Sequence, residues 1–248
     1  MELVIEDARF FKSCIDAIAN LVDEGNFEVS DKGVHLRSMD PSQIAMIDFS
    51  IPKDAFASLD CTESVTLGIG LVDFGKVLAR TRAGEKLTIS LEEKENKFVL
   101  EFAGDSKRRF KMPLLDLGSS SPKEPGIPFD ASVKVKGGSF KDMIRDAGLL
   151  SSHVILSCNN DNFVVEARGD SGELVTETQK GAPSIVELSA KNPARAMFPY
   201  EYLDDMTRAC PDDAVLSLDL KTDAPVRLSY DVGKAKLAYY LAPRVENI

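Results

Sequence analysis

The residue types that most often perform chemistry are sparse in this chain and poorly spaced for it. The 248 residues include two histidines, His35 and His153, and four cysteines that lie far apart with no Cys-x-x-Cys pair. This is a poor set of zinc ligands, so we expect no metal site and predict that the cysteines are buried free thiols. Asp204 and Asp205 are adjacent on a predicted helix and point in different directions, which makes them unsuitable as paired acids.

Sequence motifs of nucleotide and ester chemistry are also missing. The chain contains no glycine-rich phosphate loop and no Gly-x-Ser-x-Gly. His35 lies in an alternating strand pattern and His153 at a predicted strand start, where a structural role is commoner than a catalytic one. Asp212 and Asp213 occupy a turn-like stretch. We therefore predict a protein that is not an enzyme and that uses no cofactor.

Cationic side chains recur on the outward faces of four predicted helices, where they are spaced for contact with phosphates. The net charge of −10 repels DNA, so any such contact requires cations to be segregated onto one surface. A solvated face with i, i+4 charges is the simpler interpretation of any one helix. The four helices together favour a surface that follows a phosphate backbone without reading sequence. The residues are Lys12, then Lys76 and Arg80 with Arg82 following on a helix predicted over 71–82, then Lys141 and Arg145, and Arg208 beside Asp204.

The sequence contains two similar copies of the elements that carry these residues. "FKSCIDAIANLV" begins at Phe11 and "FKDMIRDAGLLS" begins at Phe140, and each is followed by strand, polar turn and strand. Later, two further helices each contain Thr-Arg-Ala and precede a hairpin. Because several matches occur in the same order at a near-constant offset, an internal duplication is the best explanation.

The strand patterns define the fold class. Short alternating runs such as "SVTLGIG", "KLTISLEE" and "AVLSLDL" predict antiparallel sheets with one face covered by helices, an α+β fold. The stretch over 115–130 contains three prolines and three serines without periodicity, and reads as a connector. We predict domains over 1–114 and 131–248 on either side of it. No apolar run approaches the roughly 20 residues of a membrane helix, and the acidic N-terminus is unlike a secretory signal.

Three stretches carry a resemblance to a known family. "GVHLRSMDPSQIAMIDFSIP" (Gly33–Pro52), "EPGIPF" (Glu124–Phe129) and "YYLAPRVE" (Tyr239–Glu246), in this order and with the duplication, resemble the sliding clamps of the proliferating cell nuclear antigen (PCNA) type, particularly the archaeal members. The likeness covers essentially the whole chain. It implies two similar domains per subunit and three subunits in a pseudo-sixfold ring around duplex DNA, with helices inside and sheets outside.

The resemblance also implies roles for individual residues. The family's DNA-facing cations match Lys12, Lys76, Arg145 and Arg208, with Arg80, Arg82 and Lys141 as further candidates. Ser13, Ala19, Ala79 and Glu201 stand where relatives often carry a cation, so only a mildly positive lining is expected. The family's partner-peptide pocket matches Met39, Gln43, Ile44, Met46, Ile127, Pro128, Pro225, Tyr240, Leu241, Ala242 and Pro243. Methionines, prolines and aliphatic residues from loops suit an adaptable apolar surface. Without the resemblance, Met39 and Met46 are better interpreted as core residues, and with it the pocket is favoured.

The implied subunit interface is antiparallel pairing of two strands. The matching strands are Ser106–Leu115 of one subunit and Gly172–Lys180 of the next, with complementary charge. The interface residues are Lys107, Arg108, Arg109, Phe110, Glu173, Val175 and Glu177.

The implied function is a processivity factor that tethers DNA polymerase, flap endonuclease and ligase, and that is opened by a clamp loader. A subunit of a heterotrimeric or checkpoint clamp remains an alternative, as does a monomeric duplicated β-rich enzyme or ligand carrier. The expected location is cytoplasmic and nucleoid-associated in an archaeon, or nuclear in a eukaryote, with no membrane partner.

Overall fold

The computed structural model describes residues 1–118 and 121–244, which divide into two compact units. The first unit contains Met1–Pro41, Ile47–Lys123 and Val232–Leu237, and the second contains Ser42–Met46, Glu124–Asp231 and the residues from Ala238 onward. Two short segments thus belong to the unit formed mainly by the other half of the chain: Ser42–Met46 is part of the second unit, and Val232–Leu237 is part of the first. A single division of the sequence at 115–130 does not predict this. Ser119 and Ser120 of the connector, and Val245 and Glu246 of the C-terminal motif, lie outside the described residues.

The first unit contains two helices among short strands. In chain order its elements are β1 (Glu2–Ile5), α1 (Ala8–Ala19), β2 (Glu24–Ser30), β3 (Gly33–Met39), β4 (Ala45–Pro52), β5 (Ser58–Asp60), β6 (Val65–Gly70), α2 (Leu71–Leu78), β7 (Lys86–Glu92), β8 (Lys97–Ala103) and β9 (Lys107–Pro113). One sheet has the strand order β5-β1-β7-β8-β9, and β4-β3-β2-β6 are neighbours in another. Asn96 adopts φ 50° in the turn between β7 and β8.

The second unit repeats the same order of elements. They are β10 (Ala131–Lys136), α3 (Gly137–Gly148), β11 (His153–Cys158), β12 (Asn162–Gly169), β13 (Gly172–Gln179), β14 (Ile185–Ala190), β15 (Ala194–Pro199), α4 (Tyr200–Arg208), β16 (Val215–Leu220), β17 (Val226–Val232) and β18 (Ala235–Leu241). Both series read strand, helix, five strands, helix, three strands. The order β13-β12-β11-β15 forms one sheet, and β14-β10-β16-β17 are neighbours in another. The predicted duplication and α+β class are confirmed.

Aromatic side chains fix how the helices pack in the first unit. Phe11 of α1 contacts Phe74 of α2 edge-on at 6.1 Å between ring centroids, and Phe74 contacts Phe98 of β8 at 5.5 Å. Each such pair adds about 0.5–1.5 kcal/mol beyond the burial of apolar area. Asp7 caps α1 by accepting a hydrogen bond from the Arg9 backbone N–H at 2.9 Å. This packing turns one face of each helix inward and leaves the other available.

The corresponding contact in the second unit joins α3 to the sheet. Phe140 of α3 lies 6.2 Å from Phe163 of β12, and both rings are fully buried. Behind α4, the Tyr230 hydroxyl donates to the Met206 carbonyl at 2.8 Å, so a buried polar group is satisfied. In both units a buried aromatic ring packs a helix against a sheet, but the residues that form this contact differ.

The predicted helix over 71–82 is too long. Helix α2 ends at Leu78, and the Arg80 and Thr81 N–H groups bond to the carbonyls three residues back, at Val77 and Leu78. Such bonds tighten the last turn of a helix and end it. Arg80 and Arg82 therefore lie beyond α2.

Three of the four cysteines are buried, and the described helices include no candidate membrane span. Cys14, Cys158 and Cys210 are buried free cysteines, as predicted, whereas Cys61 is only partly buried. Burial raises the pKa of Cys14 to about 12 and that of Cys158 to about 11, which makes these thiols unreactive. No helix within residues 1–118 and 121–244 is long and apolar enough to cross a membrane.

Candidate functional site

The exposed faces of the four helices carry cations, but acidic partners accompany most of them. Lys12 pairs with Asp16 one turn along α1, and Lys76 lies 2.8 Å from Asp73. Arg208 on α4 lies 3.0 Å from Asp204 and also contacts the next carboxylate. These pairs are at least partly exposed, so each contributes little to stability. Their main effect is to reduce the positive field of the helical surface.

The charge count gives the same result. The four helices together carry six cationic and seven acidic side chains, a formal charge of −1, in a chain whose net charge is −10. The exposed Arg80 and Arg82, just after α2, add two further cations. With these two the formal charge is +1, so the helices and the residues just after α2 are together close to neutral.

Lys141 is not on an exposed face, which corrects the prediction for α3. The residue is only 9% exposed, and its ammonium donates to the Cys210 carbonyl at 2.8 Å and pairs with Asp212. The reason is local: the loop after α4 lies against the start of α3, where the Gly137 and Gly138 N–H groups bond to the carbonyls of Ala214 and Asp212. Lys141 fastens this loop. Arg145, one turn later on α3, remains exposed.

The two strands predicted to pair between subunits are both edge strands. β9 ends the five-stranded sheet of the first unit, and β13 ends the four-stranded sheet of the second. An edge strand presents unpaired backbone groups that can add a further strand. β13 exposes Glu173, Val175 and Glu177 on one side, and Val175 is 59% exposed.

Side chains of β9 alternate between inward and outward roles. Lys107 and Arg109 are exposed and both bind the Glu101 carboxylate, at 2.6 and 2.8 Å. Phe110 packs edge-on against Phe102 at 5.9 Å, so it is half-buried in its own unit. The predicted cationic character of the outer side of this strand is therefore retained by Lys107 and Arg109.

Arg108 points inward, which corrects its assignment to the subunit interface. Its guanidinium lies 2.6 Å from the Glu85 carboxylate, which is 3% exposed, and stacks 5.0 Å from the Phe102 ring centroid. Burial raises the pKa of Glu85, but the Arg82 backbone N–H and the Arg108 guanidinium outweigh burial and hold the pKa below its ordinary value. Arg108 is thus the counter-ion of a buried carboxylate.

The predicted peptide pocket is assembled mainly from one unit. Gln43, Ile44, Ile127, Pro128, Pro225, Ala242 and Pro243 all belong to the second unit and all retain exposed surface. The Ala242 N–H donates to the Ile44 carbonyl at 2.8 Å, which joins the C-terminal residues to the segment before β4. Gln43 has φ 58°, an uncommon conformation for a residue other than glycine. Apart from Gln43 these side chains are apolar, which is the type of side chain that peptide-docking surfaces use.

Four residues assigned to the pocket contribute differently. Leu241 is fully buried and Met46 is 4% exposed, so both are core residues, which corrects the prediction that they meet a peptide. Tyr240 is also buried, but its hydroxyl reaches the Glu124 carboxylate at the end of the connector. Met39 belongs to the first unit, where it lines a groove of about 890 Å³ with Leu115 and Pro122.

The two histidines have different surroundings. On the first unit, His35 Nε2 lies 3.2 Å from the Asp48 carboxylate, and this hydrogen bond raises the pKa of His35. On the second unit, burial and then the Arg244 guanidinium lower the pKa of His153. No local sequence pattern predicts the contact of His153 with Arg244, because the two residues are 91 positions apart in the chain. No group of three or more potential metal ligands occurs among the described residues.

Comparison with known proteins places these features in a family. A family model described as proliferating cell nuclear antigen, N-terminal domain, matches residues 1–120, and the corresponding C-terminal domain model matches 123–245. A protein of Methanococcus vannielii named DNA polymerase sliding clamp is 34% identical over 244 residues, covering 97% of this chain and 98% of the relative.

Two crystal structures are similar over nearly their full length. PCNA from Thermococcus kodakaraensis is 26% identical, with a TM-score of 0.93 and coverage of 98% of this chain and 99% of the other. Archaeoglobus fulgidus PCNA, bound to the C-terminal region of FEN-1, is 27% identical, with a TM-score of 0.90 and coverage of 100% and 99%. The fold of both units is thus that of these proteins.

The buried lysine gives a first prediction. Lys141→Ala is expected to lower the free energy of unfolding by about 2 kcal/mol, because it removes a charge-assisted hydrogen bond that holds the loop after α4. Arg145→Ala, an exposed change on the same helix, should alter it by less than about 0.5 kcal/mol. Urea denaturation of the two variants measures the difference, and equal effects would show that Lys141 is not a fastening residue.

The buried Glu85 gives a second prediction, with a pH dependence. Arg108→Met is expected to cost about 3 kcal/mol at neutral pH, because it leaves a buried carboxylate without its counter-ion. Since the folded-state pKa of Glu85 is depressed, the stability from this pair is present above its ordinary pKa of 4.5 and is lost as the pH falls below it. The difference in free energy of unfolding between wild type and Arg108→Met should therefore become smaller in acid.

The control for this pair is Arg109→Met. Its guanidinium is exposed and paired with Glu101, so the change should cost less than about 1 kcal/mol at any pH. Thermal or urea unfolding at neutral and acid pH distinguishes the two variants. A pH-independent deficit in Arg108→Met would contradict the ionic role of Arg108.

Proposed function

The chain belongs to the proliferating cell nuclear antigen family, and on this premise we propose that it is a DNA polymerase sliding clamp. The observation that carries the proposal is the match of both units, in order, to the two domain models of the family over almost the whole chain. In this role the protein performs no chemistry of its own. It encircles duplex DNA and holds partner enzymes near their substrate.

Assembly into a trimer is supported by the two edge strands. Each copy offers β9, whose outer side carries Lys107 and Arg109, and β13, whose exposed side carries Glu173 and Glu177. Antiparallel pairing of β9 with β13 of the next copy satisfies both edges and brings opposite charges together. A head-to-tail contact of this kind closes into a ring when the rotation between copies permits.

Contact with DNA is proposed to be weak and independent of sequence. The cations proposed to face DNA are Lys12, Lys76, Arg80, Arg82, Arg145 and Arg208, and several are partly neutralised by a neighbouring carboxylate. Phosphate contacts of this type add little affinity each and are screened by salt. Retention on DNA then comes from the closed ring, which allows the protein to move along the duplex.

Partner enzymes are proposed to dock through short peptides on the second unit. In the Archaeoglobus structure the C-terminal region of FEN-1 is bound to PCNA. The equivalent partners here are a flap endonuclease, a DNA polymerase, a ligase and a clamp loader, each with a glutamine, an aliphatic residue and two aromatic residues in its docking peptide. A tethered enzyme that releases the DNA stays at a high effective concentration and rebinds quickly.

The rival classes have less support. In a heterotrimer, each edge strand of a subunit has to match only the edge strand of a different subunit. Here β9 and β13 of the same chain carry complementary charges, which favours pairing between identical copies. An acyl-transfer enzyme has one possible nucleophile–base pair in Ser152 and His153, whose Oγ and Nδ1 atoms lie 2.9 Å apart. A catalytic base of that kind is oriented by an acid at its other nitrogen, but here the Arg244 guanidinium lies 2.6 Å from Nε2.

Charge reversal on β13 tests the assembly. The variant Glu173→Lys with Glu177→Lys places cations opposite Lys107 and Arg109, so it should dissociate the trimer at low salt. The matched control Glu24→Lys with Glu63→Lys changes the net charge equally at exposed sites away from β13. Light scattering behind a sizing column should give three chains for wild type and control and one for the variant, and a monomeric wild type would overturn self-assembly.

A second test addresses peptide docking. Ile127→Glu places a charge in the proposed pocket and is expected to weaken binding of a labelled docking peptide at least about tenfold. Val186→Glu is the control, because Val186 is 54% exposed on β14 of the same unit and lies outside the pocket. Fluorescence anisotropy measures both, and unchanged binding by Ile127→Glu would exclude this surface.

A further inference from the structure

The three residues Ala242–Arg244, here called the tail segment, are held at three points within the second unit. The Ala242 N–H donates to the Ile44 carbonyl and the Arg244 N–H donates to the Met197 carbonyl of β15, both at 2.8 Å. Pro243 has no N–H, so both backbone donors of the segment are used. The third point is the Arg244 side chain, which reaches His153 at the start of β11.

The contact between Arg244 and His153 favours the neutral imidazole. Arg244 Nη1 lies 2.6 Å from Nε2 and 3.3 Å from Nδ1 of His153, and the Ser152 hydroxyl oxygen lies 2.9 Å from Nδ1. Because Nη1 is close to both ring nitrogens, it lies against the ring and not along the lone pair of one nitrogen, so the contact assigns no tautomer. The guanidinium carries a fixed positive charge, and a second proton on the imidazole therefore places two positive charges in contact.

We propose that His153, through Arg244, is a positioning residue for the peptide pocket, and that its protonation releases the tail segment and weakens docking. The inference rests on the proposed function, because Ala242 and Pro243 are two of the pocket residues. It adds a residue pair outside the pocket that sets the position of the pocket wall. It also makes docking dependent on pH, with weaker binding on the acidic side.

The surroundings of His153 support this direction of change. The neighbouring β15 and α4 carry Arg195 and Glu201, but among the described residues Arg244 is the one charged group that shifts the pKa of His153. Burial and Arg244 both lower it. The neutral imidazole is therefore favoured in the folded protein, and the contact is present at neutral pH and lost as the pH falls through the lowered pKa.

The test compares peptide binding at pH 7.5 and pH 5.5. The probe is a labelled docking peptide with blocked ends and no group that titrates in this range, and binding is followed by fluorescence anisotropy. The wild type should bind about five- to tenfold more weakly at the lower pH, a coupling of ordinary size. His153→Gln keeps an acceptor oxygen but does not titrate, so its ratio of affinities should fall to about one.

Two further variants separate charge from structure. His153→Lys carries the positive charge at both values of pH and should bind weakly at both. His35→Gln removes the other of the two histidines of the chain, which lies on the first unit, and should keep the full wild-type pH step. A pH step that survives in His153→Gln, or that disappears in His35→Gln, would overturn the proposal.

A measurement made without peptide separates a failure of the inference about His153 from a failure of the proposed docking function. The ring protons of His153 report its titration by NMR, and Arg244→Ala should move the pKa of His153 upward toward its ordinary value. Absence of peptide binding by wild type at either pH would reject the docking function alone. An unchanged titration of His153 in Arg244→Ala would reject the contact between the two side chains, whatever the peptide does.

Discussion

The packing of two helices against the sheets of each unit is the constraint on which the other features depend. In the first unit Phe11, Phe74 and Phe98 join α1, α2 and β8, and in the second Phe140 and Phe163 join α3 and β12. Once these rings are buried, the rotation of each helix about its axis is fixed, and so is the set of side chains that remains exposed. The charge on the helical surface is therefore decided by core packing.

That surface explains how a strongly acidic chain can work with DNA. Its helices are close to neutral while the whole chain carries −10, so repulsion is concentrated elsewhere on the molecule. In the proposed ring, a nearly neutral lining would hold a duplex loosely and let it slide, while closure of the ring would prevent escape. Weak electrostatic contact and topological retention are in this sense complementary, because stronger phosphate contacts would slow the movement.

Repetition and periodicity predicted most of the fold. The order of elements in both units follows from the Phe-Lys helices and the alternating strands, and the connector follows from its prolines. Residue contacts over long sequence distances were not predictable. Lys141 falls on a plausible outward position of α3, but a loop some seventy residues away covers it. Similarly, Arg108 belongs to a cationic run, yet a buried carboxylate draws it inward.

The candidate site shows the same limit. Seven of the predicted pocket residues belong to the second unit and retain exposed surface, but Leu241 and Met46 are core residues because alternation along a strand does not say which face is covered. Arg244 and His153 could not be paired from sequence, since no local pattern joins a strand start to a segment ninety residues later. Such contacts depend on how strands pair, which is set by the whole unit.

The measurement that tests ring closure most directly is retention on linear duplex DNA with both ends blocked by bound streptavidin. The protein is first allowed to thread over open ends, the ends are then blocked, and free protein is washed away at moderate salt. Sliding-clamp function requires stable retention on the blocked duplex and rapid loss once a restriction enzyme cuts it. Equal retention on cut and blocked DNA, falling only with salt, would mean ordinary surface binding and would contradict an encircling ring.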